Sequence, residues 1–115
     1  MAVLSEVRKD YGKLKLFING TWMDSKSSNW FKDTNPATHE VIAEVPVATN
    51  EEISLTIESA YHAFNTWKDV PFRDRAQYIH KLRSKFADHS EELGRILTQD
   101  HGRTMDDARG TTQIG

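Results

Sequence analysis

Residues 41–67 read VIAEVPVATNEEISLTIESAYHAFNTW, and within them one periodicity gives way to another. Val41–Val45 is a short β-branched run, and Pro46, with no N–H to give a ladder, closes it. Thr49 stands three residues before Glu52, the spacing of a capping box, in which each side chain satisfies the other's free backbone N–H. Behind it Ile53, Ile57, Ala60, Phe64 and Trp67 recur at steps of four and three, which sets them on one helical face. The chain therefore divides near residue 49 into a strand-bearing part and a helical part.

Upstream of the division the signals are those of hairpins. Leu14-Lys-Leu-Phe-Ile18 runs into Asn19-Gly20 and then Thr21-Trp22-Met23. An Asn-Gly pair between apolar segments predicts a type I′ turn, because both residues accept a positive φ. Ser25–Asn29 is a polar loop, and Trp30–Thr34 a short extended segment. Asn35-Pro36-Ala37-Thr38 is turn chemistry, with Pro36 pushing Asn35 out of the helical region. Two hairpins are expected over residues 14–46, and residues 1–13 are expected to form a flexible N-terminal arm.

Downstream, residues 49–115 read as successive amphipathic helices. Pro71 suits a helix's first turn, with Phe72, Ala76, Ile79, Leu82 and Phe86 along one stripe behind it. Ser90-Glu91-Glu92 reads as the cap of a third helix with Leu93, Ile96 and Leu97 inward, and Gly102 as its stop. Thr104 and Asp107 are spaced to cap a fourth. No continuous Val/Ile/Leu strand lies between these helices, and two hairpins are a thin platform for them. The expectation is an α/β protein seen at its opening piece, cut inside the fourth helix.

Composition narrows the function classes. Fifteen Lys and Arg face 17 Asp and Glu, a net charge of -2. Nucleic-acid binding needs a surplus of cations to displace counterions, and a polybasic membrane module needs the same. No stretch approaches the roughly 20 consecutive apolar residues of a spanning helix. The start, MAVLSEVRKDYGKLK, lacks a signal peptide's apolar core, and its acids Glu6 and Asp10 disfavour a transit peptide, so the expected location is the cytoplasm. Cysteine is absent, which excludes a disulfide framework, a Cys-ligated zinc site and a thiol nucleophile among these residues.

Read in order, the residues resemble the N-terminus of NAD(P)-dependent aldehyde dehydrogenases. Phe17-Ile-Asn-Gly-Thr-Trp22, Asn35-Pro-Ala-Thr-His-Glu-Val-Ile-Ala43 and Val45-Pro46 with Ala48-Thr49 look like the family's opening text. Ala63-Phe64 with Trp67, Arg75-Ala76 with Leu82, Glu91-Glu92-Leu93, Leu97–Thr104 and Asp107-Ala108-Arg109-Gly110 follow at family spacing. No single piece decides this; the ordered set does. Within the family, Ser25-Lys26-Ser27, Trp30 and Gly102-Arg103-Thr104 are most similar to the methylmalonate-semialdehyde branch. His39 stands where a turn Gly is usual, His101 where Gln or Asn is common, and Thr111–Gly115 lacks the Glu expected after Ala108-Arg109-Gly110.

The resemblance implies an aldehyde-dehydrogenase-like fold, with the hairpins and helices covering a Rossmann-type sheet supplied downstream. It implies oxidation of a semialdehyde: a cysteine thiolate attacks the carbonyl, hydride passes to NAD or NADP, and the thioester is hydrolysed or handed to coenzyme A. This chain has no Cys and no Gly-x-Gly phosphate loop, so no catalytic, cofactor-binding or metal residue is expected in it, and alone it is expected to be inactive. The implied partners are the rest of the same polypeptide or a full-length subunit, in a homo-oligomer. The alternative is a stand-alone, non-catalytic relative serving as an interaction or oligomerisation module.

The remaining candidates are weak. The resemblance sets Asp100 where the family sometimes places an acid on a structural monovalent-cation site, with backbone carbonyls near Asp33–Thr34; a solvated acid at a helix end is the reading the residues favour. His62, His80, His89 and His101 lack the i, i+4 spacing of a helical metal pair and read as surface residues. Trp22, Trp30, Trp67 and Tyr61 could stack bases, yet Trp22 and Trp67 read as core. Lys81, Arg83 and Lys85 read as a solvated face, and Ser54, Ser59 and Ser84 show no triad pattern.

Overall fold

The computed structural model describes residues 7–114. Four short strands precede four helices: β1 (Leu16–Ile18), β2 (Thr21–Met23), β3 (Trp30–Thr34), β4 (Val41–Pro46), α1 (Asn50–Trp67), α2 (Phe72–Asp88), α3 (Ser90–His101) and α4 (Met105–Ile114). β1 and β2 pair antiparallel, Phe17 opposite Trp22, through a turn in which Asn19 (φ 52°) and Gly20 (φ 74°) are both left-handed, the type I′ signature. β3 and β4 form a second antiparallel pair, Trp30 opposite Pro46, with an irregularity between Asp33 and Thr34. Asn35 closes their connection: its N–H donates to Glu40 O, its carbonyl accepts from His39 N, and its side chain accepts from Ala37 N. His39 carries the positive φ, 61°, that a glycine would take without strain.

The arm expected over residues 1–13 has a different character where it is described. Residues 1–6 lie outside the described residues. Residues 7–13 are tied down: Tyr11 N donates to Ile42 O, Glu44 N to Gly12 O and Leu14 N to Glu44 O, a short parallel pairing along the second edge of β4. Val7 is buried, and the Gln99 side-chain amide donates to Arg8 O from α3. β4 is therefore hydrogen-bonded on both edges, which buries Ile42 and Ala43.

The helices start and stop largely where local chemistry dictates. Thr49 and Glu52 form the reciprocal capping box on α1. Pro71 sits at the N-cap of α2, one residue ahead of the first turn. The α2–α3 junction departs from expectation: His89, not Ser90, is the N-cap, and no side chain caps it. α3 ends at Gly102, φ 71°, and the Thr104 hydroxyl accepts Asp107 N at the start of α4. α3 and α4 pack on each other around Ala108, and Arg109 clasps Glu91 with two 2.9 Å hydrogen bonds.

Among the described residues the two long stripes do not meet a core. On α1, Ile57 and Phe64 remain exposed, as do Phe72 (79 %), Ile79 and Leu82 on α2. Trp67 meets Tyr78 of α2 edge-on at 5.3 Å, one of the few ties between these helices. Trp22, expected in a core, is 67 % exposed, with its ring tilted against Phe17 at 4.8 Å; Trp67, also expected inside, is 41 % exposed. The radius of gyration is 17.4 Å, against about 13 Å for a compact globule of this length. The chain measures 50 × 38 × 19 Å, a slab with its helical faces open.

Candidate functional site

The position with the most chemistry lies where the end of α3 meets the β3–β4 connection. Gly102 is the contact point: a Cβ on it would come within 2.9 Å of Pro36 Cγ. This approach brings Asp100, in the last turn of α3, close to Asp33 near the end of β3, and both line one groove. Removal from solvent pushes the Asp33 carboxyl above its ordinary range, and the nearby Asp100 carboxyl pushes the same way. The Thr34 backbone N–H and His101 oppose the shift.

Next to it is Gln99, 7 % exposed, whose Nε2 is spent on Arg8 O at 2.9 Å. Its Oε1 is buried with no hydrogen-bond partner among the described residues. Asp33, Gln99 and Asp100 share the lining of a groove of about 460 Å³ with Leu14, Ile42 and Phe86. Among the described residues no group of three or more His, Asp or Glu side chains is placed to hold a metal ion. Asp100 keeps a side chain 39 % exposed, in keeping with an acid at a helix end, and lies near a second carboxyl, Asp33. Asp33 was anticipated only for its neighbouring backbone carbonyls; its side-chain role depends on a partner far along the chain, which no local pattern announces.

The other candidates stay apart. His62 and His80 are exposed on α1 and α2, His89 bonds Glu92 at 3.2 Å, and His101 lies 3.8 Å from Asp100. Lys81, Arg83 and Lys85 are exposed along α2, and Tyr61 is exposed beside Phe64. Trp30 spends its indole N–H on Ser27 O and carries Lys13 Nζ over its ring at 4.8 Å. The Ser84 hydroxyl donates to His80 O; neither it nor Ser54 or Ser59 bonds an imidazole among the described residues.

Glu52 does more than its sequence signature indicates. Besides Thr49 N, its carboxylate accepts Lys26 N at 2.7 Å and the Ser25 hydroxyl at 2.9 Å, so the Ser25-Lys26-Ser27 loop hangs from the start of α1. The Thr49 N–H, then the Lys26 N–H, hold this carboxyl below its ordinary range. It is a structural tether, and its donors are all within the chain.

Comparison with known proteins places this arrangement. The profile of the aldehyde dehydrogenase family matches residues 22–114. The chain is 36% identical over 105 residues to malonate-semialdehyde dehydrogenase of Lacticaseibacillus casei, covering 91% of this chain and 21% of that protein. It is 39% identical over 102 residues to malonate-semialdehyde dehydrogenase 2 of Oceanobacillus iheyensis, covering 89% and 21%. It superposes on an NAD-complexed protein of Sinorhizobium meliloti, assigned as a methylmalonate-semialdehyde dehydrogenase, with a TM-score of 0.80 and 33% identity over 85% of this chain and 20% of that one. An aldehyde dehydrogenase of Bartonella henselae gives 0.84 at 23% identity, a likeness of fold, over 90% and 22%. The chain spans about a fifth of the length of these relatives. The two hairpins and four helices are those of an aldehyde-dehydrogenase-like α/β fold, and the chain belongs to the aldehyde dehydrogenase family.

Proposed function

We propose that these residues are the N-terminal part of an enzyme that oxidises a semialdehyde, of the malonate or methylmalonate type, with NAD or NADP. The observation that carries this reading is the match over residues 22–114 together with the malonate-semialdehyde dehydrogenases at 36% and 39% identity. NAD as the hydride acceptor draws support from the NAD-complexed relative. The cysteine that would form the thioester lies outside this chain, which has none. Coenzyme A as acyl acceptor belongs to the same proposal.

The residues present do not fit the dinucleotide themselves. A pyrophosphate seeks a helix N-terminus with free N–H groups. All four helices here open with acids: Glu51 and Glu52, Asp74, Glu91 and Glu92, Asp106 and Asp107. At α1 the Glu52 carboxylate already occupies the cap. These residues act instead as scaffold: the open faces of α1 and α2 would pack against a sheet contributed by the rest of the polypeptide or by a full-length subunit, within a homo-oligomer in the cytoplasm. No helix of the described residues is long and apolar enough to cross a membrane. A stand-alone module is harder to reconcile with Phe72 and Ile79 left exposed at 79 % and 67 %.

The test is the mass of the native polypeptide carrying this sequence, read by immunoprecipitation and mass spectrometry. The reading expects a chain about five times this length, as in the relatives that it matches over 21% of theirs. A native product of 13.2 kDa would overturn it.

A further inference from the structure

We draw no further inference here: the strongest candidate, the Asp33–Asp100 carboxyl pair beside Gln99 where α3 meets the β3–β4 connection, belongs to the site already described and coincides with the cation position that the family resemblance implies.

Discussion

Gly102 and Pro36 touch so closely that the contact leaves no room for a side chain: a Cβ at residue 102 would lie 2.9 Å from Pro36 Cγ. The same glycine ends α3 at φ 71°. One residue therefore both terminates a helix and seats its end on the β3–β4 connection, and the meeting of Asp100 with Asp33 depends on both.

Gly102→Ala is expected to destabilise the chain by about 1–2 kcal/mol from the left-handed backbone alone, with the clash against the proline ring added. A helical circular-dichroism melt measures the loss. Gly20→Ala meets open space and has the backbone cost only, so its melt should fall less.

The Asp33–Asp100 pair predicts an unusual pH dependence. The folded-state pKa of Asp33 is raised, so folding binds its proton more tightly than the unfolded chain does. That contribution is complete below the unfolded value near 3.8 and is lost as pH rises through the folded value. Asp33→Asn keeps the shape without the charge. It should melt higher than the parent at pH 7 and lose that advantage at pH 3. A variant that is no more stable than the parent at pH 7 would contradict the pairing.

Glu52 predicts the opposite sign. Its folded-state pKa is lowered by the Thr49 and Lys26 N–H groups, so its contribution is present above the unfolded value near 4.5 and fades as pH falls. Thr49→Ala removes one half of the capping box and should cost about 1 kcal/mol. Glu52→Ala should cost more, because the 25–27 loop loses its anchor as well. The difference between Glu52→Ala and the parent should shrink in melts run at pH 3.

His39 is held at φ 61°. Left-handed backbone costs a non-glycine residue about 1–2 kcal/mol, and glycine gives back roughly 0.5–1 kcal/mol through a freer unfolded chain. His39→Gly should therefore raise stability by about 0.5–1 kcal/mol, read as a higher melting midpoint.

These outcomes divide along the line between local and distant information. The Asn19-Gly20 turn, the Thr49–Glu52 box and the Gly102 stop are each written within four residues, and each is where the sequence placed it. The stripes on α1 and α2 were also legible, because helical periodicity reports which face is apolar. It does not report what covers that face, so Trp22 and Trp67 were expected inside and are found partly or largely in solvent. Residues 7–13 have no strand periodicity, yet β4 recruits Tyr11 and Gly12 by offering an unpaired edge. The Asp33 carboxyl comes near Asp100 only once α3 has docked, and Ser25 and Lys26 find Glu52 the same way.

The open faces of α1 and α2 should bind a hydrophobic dye such as ANS when residues 1–115 are isolated. Replacing Ile57, Phe64 and Ile79 together by polar residues should reduce that fluorescence, since all three are exposed and apolar. Unchanged fluorescence would mean that the dye reads some other surface.

The most direct measurement is NADH formation at 340 nm with malonate semialdehyde, run on the native polypeptide and on residues 1–115 alone. The account predicts turnover by the native polypeptide and none by the isolated residues, which carry no thiol to hold the substrate. Turnover by residues 1–115 alone, or its absence from a native polypeptide active on no semialdehyde, would contradict it.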